Sequence, residues 1–364
     1  VTDDRIRIAY LIDSLRIGGT ENQLVEIVAR LDSDRFQPVV VCFRESDPAY
    51  VAGLQCEFRE IRFGSFKSIR AAGAMVELVR FLRRRRIDIV QTFFIDATIF
   101  GVVGAKLAGV QRILSSRRDL AFWSSRRTRR AFRLVNRWVD RFWANSEAVA
   151  RHLEQTERIS RERIDVIYNG IDLQAFGGGP SPVGLVEPVV GIVANLNREV
   201  KRVDLFVRAA ALVTDDFPSA RFQIVGDGHL RPGLEALARE LDLGDRLEFL
   251  GRRSDVAHIA RRFSVGVICS DSEGFSNSII EYFAMGIPVV ATSVGGNPEI
   301  VADGVDGRLV RPDDHRALAA GLAGLLKNEP LRLEMGARGK KKIAASFAWP
   351  SRIGEIEAYY QSLM

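Results

Sequence analysis

Through most of the chain, short apolar runs alternate with stretches whose apolar residues recur at helical spacing. In the first half, residues 5–11, 37–43, 87–92, 112–115, 141–144 and 164–168 read as strands, and helices are predicted over 20–31 and 69–85. Such alternation predicts an α/β fold with a parallel, doubly wound sheet. Between Phe176 and Pro188 the periodicity fails. The run Gly177-Gly178-Gly179-Pro180-Ser181-Pro182-Val183-Gly184 cannot hold a helix and reads as a linker. A second strand–helix series begins at 189–194. It ends with helices predicted over 316–327 and 331–345 and an aromatic, amphipathic segment over 349–363.

One stretch, 123–142, carries a second pattern. Ala131, Leu134, Val135, Trp138, Val139 and Phe142 fall at helical spacing on one face, and Arg126, Arg130, Arg133, Arg137 and Arg141 on another. Arg127 and Arg129 thicken the basic side, and residues 83–86 add a separate arginine cluster. Three readings fit: a core stripe with a solvated face, a basic surface for an anionic membrane and a lipid-linked acceptor, or nucleic-acid binding.

Length changes the picture. A chain of 364 residues exceeds what one core usually supports, so two domains are expected. No apolar run is long enough to span a bilayer, and the first residues lack the basic and apolar regions of a signal peptide, so a cytosolic or peripheral protein is expected. The net charge of +6 is concentrated in the first half. Cys42, Cys56 and Cys269 form no C-x-x-C pair, and Cys42 and Cys269 lie in apolar segments, which reads as reduced core thiols. His152, His229, His258 and His315 have no ligand spacing, so no metal site is expected.

The chemistry concentrates in Glu273-Gly274-Phe275-Ser276-Asn277-Ser278-Ile279-Ile280-Glu281. The apolar run before it reads as a buried strand, and the segment after it as an apolar helix. Glu273 therefore lies at a strand's carboxyl end, where open α/β sheets bind ligands. A helix starting near Asn277 aims backbone N–H groups of Asn277 and Ser278 at the same place, and phosphate is the natural guest. Glu281 lies about one turn further in, so the two carboxylates have separate tasks. One can grip a sugar and the other a ribose. Glu273 as a helix-start charge and Glu281 as a solvated residue is the plain alternative.

Other junctions repeat the arrangement. Gly18 and Gly19 follow the first strand and precede a helix, and without side chains they let loop N–H groups approach a diphosphate or simply make a tight turn. Arg198 and Lys201 lie in the loop leaving the first strand of the second half, either as solvated loop charges or as cations for a diphosphate. A departing nucleoside diphosphate builds negative charge that preorganised cations stabilise. Gly226, Asp227 and Gly228 end another strand, and Arg253 follows the next, where it lies on a base or at the surface.

With Gly18-Gly19-Thr20-Glu21-Asn22-Gln23, Tyr168-Asn169-Gly170-Ile171-Asp172, Ala194-Asn195-Leu196, Ile224-Val225-Gly226-Asp227-Gly228, Phe249-Leu250-Gly251, Met285-Gly286-Ile287-Pro288-Val289-Val290 and Gly295-Gly296-Asn297-Pro298-Glu299, the chain resembles the retaining nucleotide-sugar glycosyltransferases of the GT-B fold, family 4. The resemblance covers nearly the whole chain.

It implies two Rossmann-like domains facing across a cleft: residues 1–178 with 349–364 on the acceptor side, a linker at 179–188, and a donor domain at 189–348. It implies Arg198, Lys201 and Glu273 as catalytic groups. Gly18, Gly19, Gly226, Gly228, Arg253, Phe275, Ser276, Asn277, Ser278 and Glu281 are implied around the donor, Glu281 on the ribose and the Phe275 and Ser276 amides on sugar hydroxyls. Relatives often carry histidine after the strand at 111–115; here Arg118 and Asp119 follow instead and are placed on the acceptor side, where they hold a phosphate or a sugar hydroxyl or serve structure. The implied reaction is hexosyl transfer from a UDP-sugar, or a GDP-sugar, to a hydroxyl acceptor, lipid-linked or a polysaccharide precursor, with no cofactor. A nucleotide-sugar epimerase and a non-catalytic basic nucleic-acid-binding protein are the alternatives.

Overall fold

The structure is a computed structural model that describes residues 4–16, 18–64, 66, 68–121, 125–177 and 187–364. Residues 179–186 of the expected linker, and Trp123 of the arginine-rich stretch, lie outside the described residues. The chain divides into two compact units, Val1–Asn169 with Pro350–Met364, and Gly170–Trp349.

The first unit is built on seven strands: β1 (Ile6–Ile12), β2 (Phe36–Cys42), β3 (Glu57–Glu60), β4 (Ile89–Phe93), β5 (Arg112–Arg117), β6 (Arg141–Ala144) and β7 (Ile164–Val166). All pair in parallel, in the order β3-β2-β1-β4-β5-β6-β7. The second unit has β8 (Val189–Val193), β9 (Arg221–Val225), β10 (Leu247–Gly251), β11 (Val265–Ile268), β12 (Val289–Thr292) and β13 (Gly307–Val310), again all parallel, in the order β10-β9-β8-β11-β12-β13. Both are the doubly wound sheets that the alternation predicts. The central strand β11 is buried along its full length and reads as an unbroken apolar run, whereas β4, equally buried, carries Gln91 and Thr92, whose side chains hydrogen-bond inside the fold.

The last helix, Trp349–Ser362, belongs to the first unit from Pro350 onward. Tyr360 is fully buried there. The Tyr10 hydroxyl donates to the Tyr360 hydroxyl at 3.0 Å, and Tyr360 donates to Gln91 Oε1 at 2.5 Å. Gln91 Nε2 then donates to Ser116 Oγ at 2.6 Å. This buried polar chain joins the helix to β1, β4 and, just inside its carboxyl end, β5.

The arginine-rich stretch is not one helix. The helix spans Arg126–Val135, opened by Ser125 Oγ accepting from the Thr128 amide at 3.1 Å, and Phe142 and Arg141 belong to β6. Phe132 and Val135 are its buried residues, whereas Leu134 and Trp138 of the expected apolar face are exposed. Helical spacing across 139–142 is coincidental, because the chain turns after Val135 and enters the sheet.

Candidate functional site

In the second unit the strand order reverses between β8 and β11, which pair directly. Loops leaving two adjacent strands in opposite directions open a crevice at their carboxyl ends. The β8 loop carries Arg198 and Lys201, and the β11 loop carries Glu273. Lys201 Nζ donates to Glu273 Oε1 at 2.7 Å, and Ser270 Oγ donates to the same oxygen at 2.7 Å. The carboxylate is largely enclosed, with a side-chain exposure of 10%, while the ammonium, at 27%, keeps a face open.

Arg202 braces this pair. Its backbone is left-handed, with φ of 47°, and its guanidinium binds Asp204, Asp271 and Asp313 at 2.7–3.2 Å. The hydrogen bonds to Asp204 and the other carboxylates hold the guanidinium's pKa above its ordinary value. The Asp271 amide donates to the Val200 carbonyl at 2.9 Å, and the Cys269 thiol donates to the Lys201 and Arg202 carbonyls at 3.3 and 3.0 Å. Arg202 is unmarked in the sequence because two of its three partners, Asp271 and Asp313, come from loops far along the chain. Arg198 is exposed and has no side-chain partner among the described residues, so the structure does not bring it to the Lys201–Glu273 pair.

The helix Asn277–Ala284 starts where the pattern places it, two residues ahead of its apolar run. Ser276 is its extended N-cap and makes no side-chain capping bond. Phe275 and Ser276 are buried, and the Phe275 ring lies 5.7 Å from that of Phe347. Tyr282 fixes the helix to the crevice, its hydroxyl accepting from the Val193 amide at 3.0 Å. Glu281 is half-buried, with no side-chain hydrogen bond among the described residues, and burial pushes its carboxyl up to about 7. A carboxyl in this state is ready to ionise against a ligand's hydroxyl donors.

Gly226 and Gly228 sit under the β8 loop. A Cβ on Gly226 would meet the Ala194 carbonyl, and one on Gly228 the Leu196–Asn197 peptide. Gly226 also has φ of 138°, so this close approach requires glycine. The loops are laced together, Leu196 N donating to the Asp227 carbonyl at 3.2 Å and His229 N to Asn197 Oδ1 at 3.0 Å. Arg253 is exposed and forms a two-point pair with Asp255, both contacts at 2.8 Å.

In the first unit, Gly18 is the N-cap of the helix Gly19–Arg30, and the Glu21 carboxylate folds back over it. Arg118 follows β5, and its guanidinium donates to Asn169 Oδ1. Burial pushes Arg118 down to about 10, opposed by the charge of Glu21. The Asp119 carboxylate accepts from the Ala121 amide at 2.8 Å. Asn145 Nδ2 donates to the Arg118 carbonyl at 3.3 Å. Arg118 is thus a desolvated cation among amides at the carboxyl edge of β5, β6 and β7.

A recess of about 530 Å³ opens at the other edge of the second sheet, lined by Glu187, Arg221, Glu248 and Arg261. It lies by the amino ends of β8, β9 and β10, away from the crevice. Among the described residues no group of three or more His, Cys, Asp or Glu side chains is placed to hold a metal ion. No helix among them is long and apolar enough to cross a membrane.

Two family profiles match. Residues 17–175 match Glycosyltransferase Family 4, and residues 187–328 match Glycosyl transferases group 1. A relative along the whole chain is the UDP-Gal:alpha-D-GlcNAc-diphosphoundecaprenol alpha-1,3-galactosyltransferase of Escherichia coli, 26% identical over 99% of this chain and 97% of its own. The D-inositol 3-phosphate glycosyltransferase of Mycolicibacterium smegmatis is 33% identical over 62% of this chain, which spans 54% of that relative's length. Among solved structures, Anabaena HepE in complex with UDP and glucose superposes with a TM-score of 0.88 at 23% identity, covering 98% of this chain and all of HepE. Sucrose-phosphate synthase from Thermosynechococcus elongatus gives 0.80 at 19% identity, with 99% of each chain covered.

Proposed function

The chain belongs to the glycosyltransferases of family 4, with the GT-B fold, and from that premise we propose that it is a retaining hexosyltransferase whose second unit binds a nucleotide-diphosphate sugar without a catalytic metal. The observation that carries the reading is the Lys201–Glu273 pair at the point where strand order reverses, beside the N-terminus of the helix Asn277–Ala284.

In this reading the donor's diphosphate lies at the amides of Asn277 and Ser278, with Lys201 on the β-phosphate. Breaking the bond from the anomeric carbon to the phosphate oxygen leaves charge on that phosphate, which Lys201 stabilises more in the transition state than in the ground state. Glu273 orients Lys201 and accepts from sugar hydroxyls, and the Phe275 and Ser276 amides bind the same sugar. Glu281 accepts from the ribose hydroxyls. The acceptor oxygen bonds to the anomeric carbon on the face the phosphate leaves, and its proton passes to the departing phosphate, which retains configuration. UDP is the favoured nucleotide, in line with the donor named for the Escherichia coli relative. The acceptor is a hydroxyl on a lipid-linked saccharide, with Arg118 on the acceptor side, and the protein works at the cytoplasmic face of the membrane.

Calorimetric titration with UDP, GDP and ADP, each with and without EDTA, tests the donor site. The expected result is EDTA-insensitive micromolar binding of UDP, lost in Glu281→Ala; no binding by any diphosphate overturns the reading. The anomeric proton coupling of the product, followed by NMR from the first turnovers, tests retention, and an inverted product refutes it.

A further inference from the structure

Arg126, Arg127, Arg130, Arg133 and Arg137 are all exposed, and none has a carboxylate partner among the described residues. Elsewhere in the same unit exposed or half-buried arginines pair closely, as in Arg161–Glu147 at 3.0 Å and Arg35–Glu357 at 3.2 Å. Between the unpaired arginines stand two large apolar side chains, Leu134 with 56% exposure and Trp138 with 44%. Spacings of three and four residues put Arg126, Arg130, Arg133 and Leu134 along one side of the helix Arg126–Val135, and Arg137 and Trp138 follow in the turn and bend after it.

The helix is fixed from behind. The Arg117 guanidinium lies 4.5 Å from the Phe132 ring centroid, donates to Asn136 Oδ1 at 3.0 Å and pairs with buried Glu157 at 3.4 Å. Burial alone would raise the Glu157 carboxyl, but the Arg117 charge and the Asn136 amide hold it below its ordinary value. Its buried face is therefore committed to the core, and the arginines and the exposed apolar pair are left to solvent. The basic, apolar surface also extends sideways. The helix Ile95–Ala108 packs against both Arg126–Val135 and Ile69–Arg84; it exposes Leu107, and Ile69–Arg84 exposes Val76 with Arg70, Arg80 and Arg84, which have no carboxylate partner among the described residues.

We propose that this helical face docks the protein on an anionic phospholipid bilayer, with Leu134 and Trp138 entering the interface and the surrounding arginines on headgroup phosphates. Both chemistries are used at once there: guanidinium groups meet a dense array of phosphates, while an indole and an isobutyl group find the apolar boundary beneath. Nucleic acid would satisfy the arginines and leave Leu134 in water. The docking stands on this surface alone; only its purpose, bringing a lipid-linked acceptor within reach, rests on the function proposed above.

Sedimentation with phosphatidylcholine vesicles, with and without phosphatidylglycerol, tests it on the full chain. The protein is expected to sediment with the anionic vesicles only, to release at high salt as charges are screened, and to shift the Trp138 emission to the blue. Arg126→Gln, Arg130→Gln and Arg133→Gln together should weaken vesicle binding about 100-fold, each basic residue near such a surface being worth roughly a fivefold factor. Leu134→Ser with Trp138→Ser should abolish the emission shift and shorten residence on the vesicle. Circular dichroism and UDP titration of both variants in vesicle-free buffer keep loss of folding and failure of the donor site distinguishable from loss of docking. Equal sedimentation with and without phosphatidylglycerol, unchanged binding by the arginine variant, or preferential retention on duplex DNA at the same salt overturns the proposal.

Discussion

Lys201 Nζ and Glu273 Oε1 lie 2.7 Å apart, although 71 residues separate the two in sequence, because their loops leave the adjacent parallel strands β8 and β11. A lysine so held meets a phosphate without first losing the freedom of a long side chain. Lys201→Ala is expected to cost about 2–4 kcal/mol of transition-state stabilisation, or roughly 30- to 1000-fold in turnover of a nucleotide-sugar donor. Steady-state kinetics on the purified variant check this; near-normal kcat would take Lys201 out of the reaction.

Arg202 is predicted to act through Lys201 and not on the substrate. Because its φ of 47° suits glycine, Arg202→Gly removes the guanidinium while leaving the backbone unstrained. The three aspartates then lose their common partner, and the loop carrying Lys201 loosens. We expect kcat to fall about 10- to 100-fold with little change in KM for the donor, the cost of small misplacements of a catalytic group. A matching fall in unfolding temperature and in secondary structure would instead make Arg202 a purely structural residue.

The frame of this site was legible in the sequence for a physical reason. β8 and β11, buried between helices, are apolar from end to end and so declare themselves, and the polar residues that follow each one mark the sheet's carboxyl edge. The strand-to-helix passage around Glu273 is read the same way. Arg202 and Arg117 were not legible, because each is defined by partners that only the fold assembles. The stretch after Val135 misled for a related reason: Val139 and Phe142 stand three apart, as in a helix, yet one lies in the irregular connection and the other in a strand. Periodicity over a single turn does not distinguish these states.

Tyr360 offers a stability test of the terminal helix. Replacing it with phenylalanine keeps the ring but leaves the buried Tyr10 hydroxyl and Gln91 Oε1 without their shared partner. An unsatisfied buried polar group costs about 1–3 kcal/mol. Tyr360→Phe should therefore lower the unfolding free energy of the first unit by that amount, read as a lower urea midpoint at unchanged slope, whereas Tyr359→Phe loses only the 2.9 Å bond to the half-buried Asp165 and should cost less. Equal midpoints for the wild type and Tyr360→Phe would show that the hydroxyl chain contributes nothing net.

Glu281 links the donor site to pH. Burial raises its carboxyl from an ordinary 4.5 to about 7 in the folded protein. Between these values the native state holds more protons than the unfolded chain, so this group's stabilising contribution is fully present below about 4.5 and is lost as pH rises to about 7. Glu281→Gln removes that slope. It should melt close to the wild type at the acid end of the window and be more stable above pH 7, by about 1–3 kcal/mol once partial exposure is allowed for. The ligand reverses the preference. Ribose hydroxyls donating to the carboxylate favour the ionised form, so UDP binding near pH 6.5 should release a proton from the wild type that Glu281→Gln does not release. Calorimetry in two buffers of different ionisation enthalpy reads that difference directly, and identical proton release by the two proteins would place the nucleotide away from Glu281.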